Sequence, residues 1–441
     1  GAGTDRQRMS GARVHPPEPR RCRRAPGRRR WAGWLVGLGW LAAAAAAEPP
    51  TAHWRVYRAA EGLAESLSTA ITASPRGMVW VHHGDVGALS GLDGYAVQRV
   101  PSPPERIFRV YQSRAGRLWA VYADGVLGFA GDTWTPYPLT SHLSTAELNL
   151  LRAGRPPSLV PAEEDRVLLA LPERLVLFRA VDGSFTVLRE ARQTPLGRFH
   201  EIIPATGGGL WVAGERGLAR VEGPLRRLGP ESPWQFHQPP EALGLGGLYR
   251  PFEDESGGVT CVAELPATQQ RGLAHFDGAQ WQVLTVPGEN LRFAWRGPAP
   301  GTFWGVTQNR LYWFAGTHRS EVRPPVPLAQ IHDVAVQPRG IFWLATREGV
   351  VRHAPAAWQR AATGGEPPGH FQSLAEDAAG RLWAAADTGL WSLEDRGWTR
   401  LAWPAGFEPA WPSGEGLSSL GGAGLLVTTL GGAWRFDPDT R

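Results

Sequence analysis

The hexapeptide AGRLWA fills residues 115–120 and recurs unchanged at 379–384. Aligning the chain on it yields nine anchors. They are GMVW ending at Trp80, GRLW at Trp119, DRVL at Leu168, GGLW at Trp211, GGVT at Thr260, GTFW at Trp304, GIFW at Trp343, GRLW at Trp383 and AGLL at Leu426. The steps between them are 39, 49, 43, 49, 44, 39, 40 and 43 residues. A period of about 40–45 residues suits the four-stranded blades of a propeller.

Two further marks hold the register. Six residues after the anchor stands Gly125, Gly217, Gly349, Gly389 or Gly432, where a tight hairpin calls for positive φ. Asp93-Gly94, Asp182-Gly183 and Asp277-Gly278 mark a second hairpin before the last strand of their units. The strands RLWAVY (117–122) and IFWLAT (341–346) are apolar on both faces. A sheet with one wet face would alternate, so these sheets are covered on both sides, as packed blades are. The predicted fold is all-β, a β-propeller of nine repeat units, with the anchor Trp between blades. HWRVY (53–57) reads as a last strand with no unit before it, and GGAWRFDP (431–438) as a third strand with no fourth after it. The first strand can therefore close a ring of any size. The reading divides the chain into a seven-bladed propeller over 48–354 and the start of a second over 355–441. A single ring of eight or nine blades is the alternative.

Residues 1–47 are a separate object. Seven Arg lie in 20–30, followed by the apolar WAGWLVGLGWLAAAAAA (31–47) and Glu48-Pro49-Pro50. A basic region, a short apolar stretch and an A-x-A site predict a signal peptide cleaved after Ala47, with an uncleaved anchor as the alternative. This segment carries ten Arg against Asp5 and Glu18, a net +8. The whole chain is +5, so the remainder is −3. With no basic excess there, nucleic-acid binding loses its electrostatic basis. Beyond Cys22 the chain has only Cys261, which excludes an intrachain disulfide or a cysteine metal cluster in the mature part.

The stretches FQSLAEDAAGRLWAAADTGLWSLEDRGWTRL (371–401) and LSTAITASPRGMVWVHHGDVGALSGLDGYAVQRV (67–100) closely resemble the repeat of two-component regulator propellers. That pattern runs G-L, an apolar strand, D-x-x-G-x-L-W, then G-L and an aromatic-D-G. The resemblance covers about 53–437 and is weak at Leu168 and Thr260. It implies a periplasmic sensor region of a hybrid histidine kinase, built from two seven-bladed propellers, a β-sandwich, a membrane helix and a kinase output. It also implies a small-molecule or saccharide ligand and signalling through a homodimer. The competing readings are a secreted propeller lyase resembling the streptogramin lyases, and a passive protein-interaction scaffold. A lyase would need a compact His/Glu and metal cluster on the axis, and the histidines show no repeated spacing.

The default binding face of a propeller carries the hairpins after the anchor strands and the links between blades. There the sequence places His82, His83, Asp85, Tyr122, Asp124, Glu215, Arg216, Gln308, Asn309, Arg347, Glu348 and Asp387. The link 228–246 adds Trp234, Phe236 and His237 between prolines, aromatics able to stack on a sugar ring. Adjacent histidines on a strand point to opposite faces, so HHGD (82–85) is no metal chelate. No catalytic residue, metal or cofactor is expected.

Overall fold

The computed structural model describes residues 49–50, 52–84, 87–163, 165–328, 330–356 and 371–438, the last without 378, 395–396, 408, 412–415 and 421–423. The predicted signal segment, residues 1–47, and Asp85 lie outside the described residues. Among those described are eight four-stranded antiparallel sheets, one three-stranded sheet and one α-helix, Thr145–Arg152.

Seven of these sheets form a ring. Their first strands are Ser68–Ala73, Ile107–Gln112, Ser158–Pro161, Phe199–Pro204, Leu248–Glu253, Phe293–Arg296 and Ile331–Gln337. Each packs against the next, and the last against the first. We number these sheets blades 1 to 7 and letter the strands of each a to d from the axis outward. Blade 7 takes three strands from its own repeat. Its strand d is Ala52–Tyr57, antiparallel to Gly349–Pro355, with Ala52 opposite Pro355 and Tyr57 opposite Val350. That pairing chooses seven blades for the ring, the point on which the repeat count is silent. Two further sheets follow, Ser373–Leu401 and Leu417–Phe436, and share a cluster built on Trp383, Leu390, Leu417, Leu425 and Val427.

Burial between blades holds the ring together. Trp119 of blade 2 packs with Val167 and Leu169 of blade 3, Trp211 of blade 4 with Leu248 and Val259 of blade 5, and Trp343 of blade 7 with Ile71 and Val79 of blade 1. Burying each ring removes enough apolar surface to be worth a few kcal/mol. Three anchor indoles find N–H partners at the far end of a strand a, whereas the buried Trp119 Nε1 has none among the described residues. Trp80 donates to Gln112 Oε1 at 3.2 Å and Trp211 to Glu253 Oε1 at 2.9 Å, each on the next blade. Trp343 donates to Gln337 Oε1 of its own blade at 2.7 Å. The Arg of AGRLWA covers the indole: the Arg117 guanidinium lies 4.4 Å from the Trp119 ring centroid.

The repeated Gly after the anchor has the positive φ its sequence position suggests in four of five copies, Gly217, Gly349, Gly389 and Gly432. Gly349 has φ 141° while Gly125 lies outside that region. What both share is the outer strand. A Cβ on Gly125 would strike Tyr137 O, and one on Gly349 would strike Tyr57 O. Strand d crosses so close to the start of strand c that no side chain fits. Gly349→Ala should therefore loosen the ring-closing strand and lower stability by about 1–3 kcal/mol. Gly229→Ala, at ordinary φ with open space around it, should stay within about 0.5 kcal/mol of the parent in the same denaturant melts.

Candidate functional site

The start of each strand a, the hairpins between strands b and c, and the links between blades all lie at one end of the ring. Several residues expected to form a polar surface there have other duties. Tyr122 is buried in the cluster between blades 1 and 2, and burial raises its phenol pKa. His82 and His83 are also buried. His82 Nδ1 lies 3.1 Å from Thr69 Oγ1, and His83 Nε2 lies 2.9 Å from Ser90 Oγ. Asp124 pairs with Arg152 at 3.0 Å, and Glu215 with Arg198 at 2.7 Å. Asp387 belongs to the sheets beyond the ring and accepts from Trp411 Nε1 at 2.7 Å. Arg216, Gln308, Asn309, Arg347 and Glu348 are exposed on the rim as expected.

The aromatic link needs a correction. Trp234–His237 is not a loop but strand d of blade 4, at the outer edge of the ring. Trp234 stacks on Phe199 and Phe236, and His237 packs between Trp211 and Phe276. Phe236 alone stays open, at 38% exposure. The alternation of WQFH suits an edge strand, but the flanking prolines make it read as a loop.

The cluster that sequence reasoning missed lies on the axis. Strand a carries a charged residue at one equivalent position in four blades: Arg109 in IFR (107–109), Glu201 in FHE (199–201), Arg250 in LYR (248–250) and Asp333 in IHD (331–333). In all four strands the register with strand b shifts there, a β-bulge that turns the charged side chain toward the channel. Arg109 of blade 2 reaches past blade 1 to ion-pair with Asp333 of blade 7. Asp333 Oδ2 also accepts the Ile71 backbone N–H of blade 1 at 2.8 Å. Arg250 of blade 5 lies 3.8 Å from Asp333 Oδ1 and 3.4 Å from Glu201 of blade 4. Ion pairs thus tie four blades together across the channel.

Electrostatics follow from this placement. Burial works to lower the Arg109 pKa, but the charge of Asp333 overrides it and raises the value. Burial raises Tyr111, which sits within the fields of Arg109, Glu201, Arg250 and Asp333. His332, next to Asp333, is lowered by burial and by the charges of Arg292 and Arg347. Arg250 holds φ at 53°, a left-handed conformation uncommon for a non-glycine residue. Such strain gathers at functional positions. Among the described residues no group of three or more His, Cys, Asp or Glu is placed to hold a metal ion.

Comparison with solved structures agrees with the fold. A streptogramin B lyase matches 69% of this chain and 98% of its own, at 13% identity and TM-score 0.51. Virginiamycin B lyase from Staphylococcus aureus matches 69% and 99%, at 11% identity and TM-score 0.51. The extracellular domain of a hybrid two component system from B. thetaiotaomicron matches 89% of this chain but 53% of its own, at 17% identity and TM-score 0.49. The chain thus spans about half of that domain. These likenesses are of fold. No protein-family model matches the chain, and no curated protein matches its sequence.

Two measurements test this geometry. Asp333→Ala should cost about 1–3 kcal/mol, because it leaves the half-buried Arg109 without its partner. The double variant Arg109→Met/Asp333→Leu should recover most of that loss in urea melts, since it leaves neither charge of the pair bare. The second test is acid. Burial, first of all, lowers His82 and His353 from 6.5 to about 4. Between those values the unfolded chain binds protons that the folded chain refuses. These two residues therefore leave stability intact above pH 6.5 and erode it as pH falls toward 4, by up to about 1.4 kcal/mol per pH unit each. His82→Gln should flatten the slope of stability against pH in that window by about one proton.

Proposed function

We propose that the chain is the extracytoplasmic ligand-sensing region of a two-component-type receptor. A small molecule or saccharide would bind at the channel mouth, and the signal would pass to an output domain. The observation that carries this is the axial cluster. Arg109, Glu201, Arg250 and Asp333 come from four blades and meet at the end where hairpins and links open. A ligand engaging Arg250 would alter contacts to blades 4 and 7 together, so occupancy at one point would change packing around the ring. The repeat resemblance and the export signal at 1–47 support the sensor reading. The two sheets after the closed ring support it too, read as the start of a second propeller. Among the described residues no helix is long and apolar enough to cross a membrane.

The likeness to streptogramin B lyases keeps an enzymatic reading open to test, since one of those structures is a catalytically inactive virginiamycin B lyase with quinupristin. A thermal-shift screen of residues 49–441 against mono- and oligosaccharides and small metabolites should find a stabilising ligand. At a hundred times its Kd, such a ligand adds about 2.7 kcal/mol, a shift of several degrees. Arg250→Ala should abolish that shift. A shift that survives Arg250→Ala but is lost in Trp234→Ala would move the site to the outer edge of blade 4. Conversion of quinupristin to a linear product, followed by mass spectrometry, would instead support the lyase reading.

A further inference from the structure

The channel mouth has more guanidinium than carboxylate. Arg109, Arg250 and Arg292 face Asp333 and Glu201, one cation in excess, while Arg347 and Glu348 on the rim offset each other. The chain beyond residue 47 is net −3, so this spot runs against the overall charge. The pairing is also loose. Arg109 is the one close guanidinium on Asp333, whose Oδ2 also accepts the Ile71 N–H, while Arg250 stands 3.4 Å and 3.8 Å from its two acids. Asp333 Oδ1 is buried without a hydrogen bond among the described residues. Arg292, exposed just before strand a of blade 6, donates to Ile331 O at 2.8 Å and has no carboxylate partner among the described residues.

We propose that the mouth binds the carboxylate of a compact organic acid, such as a uronic acid, seated on Arg250 and Arg292. This rests on the mouth being the ligand site. A guanidinium presents a planar fork that matches a carboxylate, and charge-assisted bonds of that kind are roughly twice as strong as neutral ones. The field around Arg292 points the same way. Desolvation first, then the charges of Arg250 and Arg271, disfavour its cation, with Asp333 opposing. A bound anion relieves that repulsion, whereas a neutral ligand leaves it in place.

The test compares matched probes on residues 49–441 at constant ionic strength, by thermal shift and calorimetry. The probes are D-galacturonate with D-galactose, D-glucuronate with D-glucose, and citrate as an acid that is not a sugar. At least one acid should stabilise the protein while its neutral counterpart does not. A shift by citrate alone would assign the site to non-sugar acids, and one by a uronate alone to sugar acids. Arg292→Gln should weaken the acid about tenfold or more. Glu201→Gln removes a competing carboxylate beside Arg250 and should tighten binding by roughly threefold or more, a gain that damage to the fold would not produce. Neutral sugars that bind as well as their acids would overturn the carboxylate proposal and leave the ligand site standing. So would acid binding indifferent to both variants. If none of the five probes binds, the carboxylate proposal falls. The ligand site falls with it only if the broader saccharide and metabolite screen is also empty.

Discussion

A sheet that is apolar on both faces cannot stand alone in water, and this constraint organises the molecule. Trp119, Trp211 and Trp343 each lie between their own blade and the next, so no blade has a complete core of its own. Stability in such an array is shared among neighbouring interfaces. A ring supplies every blade with two neighbours, and an open row would leave two apolar faces wet. The stacking of Arg117 on Trp119 extends the same logic to the rim of the interface, where a long polar side chain shields an indole edge.

Regularity at the interfaces releases other positions for chemistry. The far ends of three a strands share a structural device, an acceptor for an anchor indole, in Gln112, Glu253 and Gln337. The near ends vary from blade to blade: Ala70, Arg109, Glu201, Arg250 and Asp333 occupy comparable places. One end of the channel is therefore conserved in design within the chain, while the other is individual. The individual end is where recognition can be written.

The blade architecture was legible because the anchor recurs with a period that no helical repeat of the chain mimics. Even the degenerate anchors fit: Leu168 and Thr260 are fully buried, and Thr260 lies 3.0 Å from His275 Nδ1 where an indole would otherwise fill space. Blade number was not legible, since HWRVY would pair equally well with any three-stranded unit. The axial charged cluster was missed for a different reason. Polar residues in hairpins are conspicuous, so Tyr122, Glu215 and Arg347 drew attention. The charged third residue of IFR, FHE, LYR and IHD is just as regular, but its direction depends on a bulge, and a bulge is a property of the pairing rather than of the strand alone. Trp234 to His237 failed through their prolines, which suggest a loop where the backbone makes an edge strand.

The strand Ala52–Tyr57 has a consequence in time as well as in space. It is the first of the described strands to be synthesised, and its partner Gly349–Pro355 follows nearly three hundred residues later. Until then the first strand has no lateral neighbour, and blade 7, once formed, shows an open edge. Such long-range pairing is slow and leaves strand edges exposed meanwhile. Closure is thus a late event that couples the earliest and latest parts of the ring. A chain interrupted before residue 349 would hold six blades and a loose strand, with no means of completing the circle.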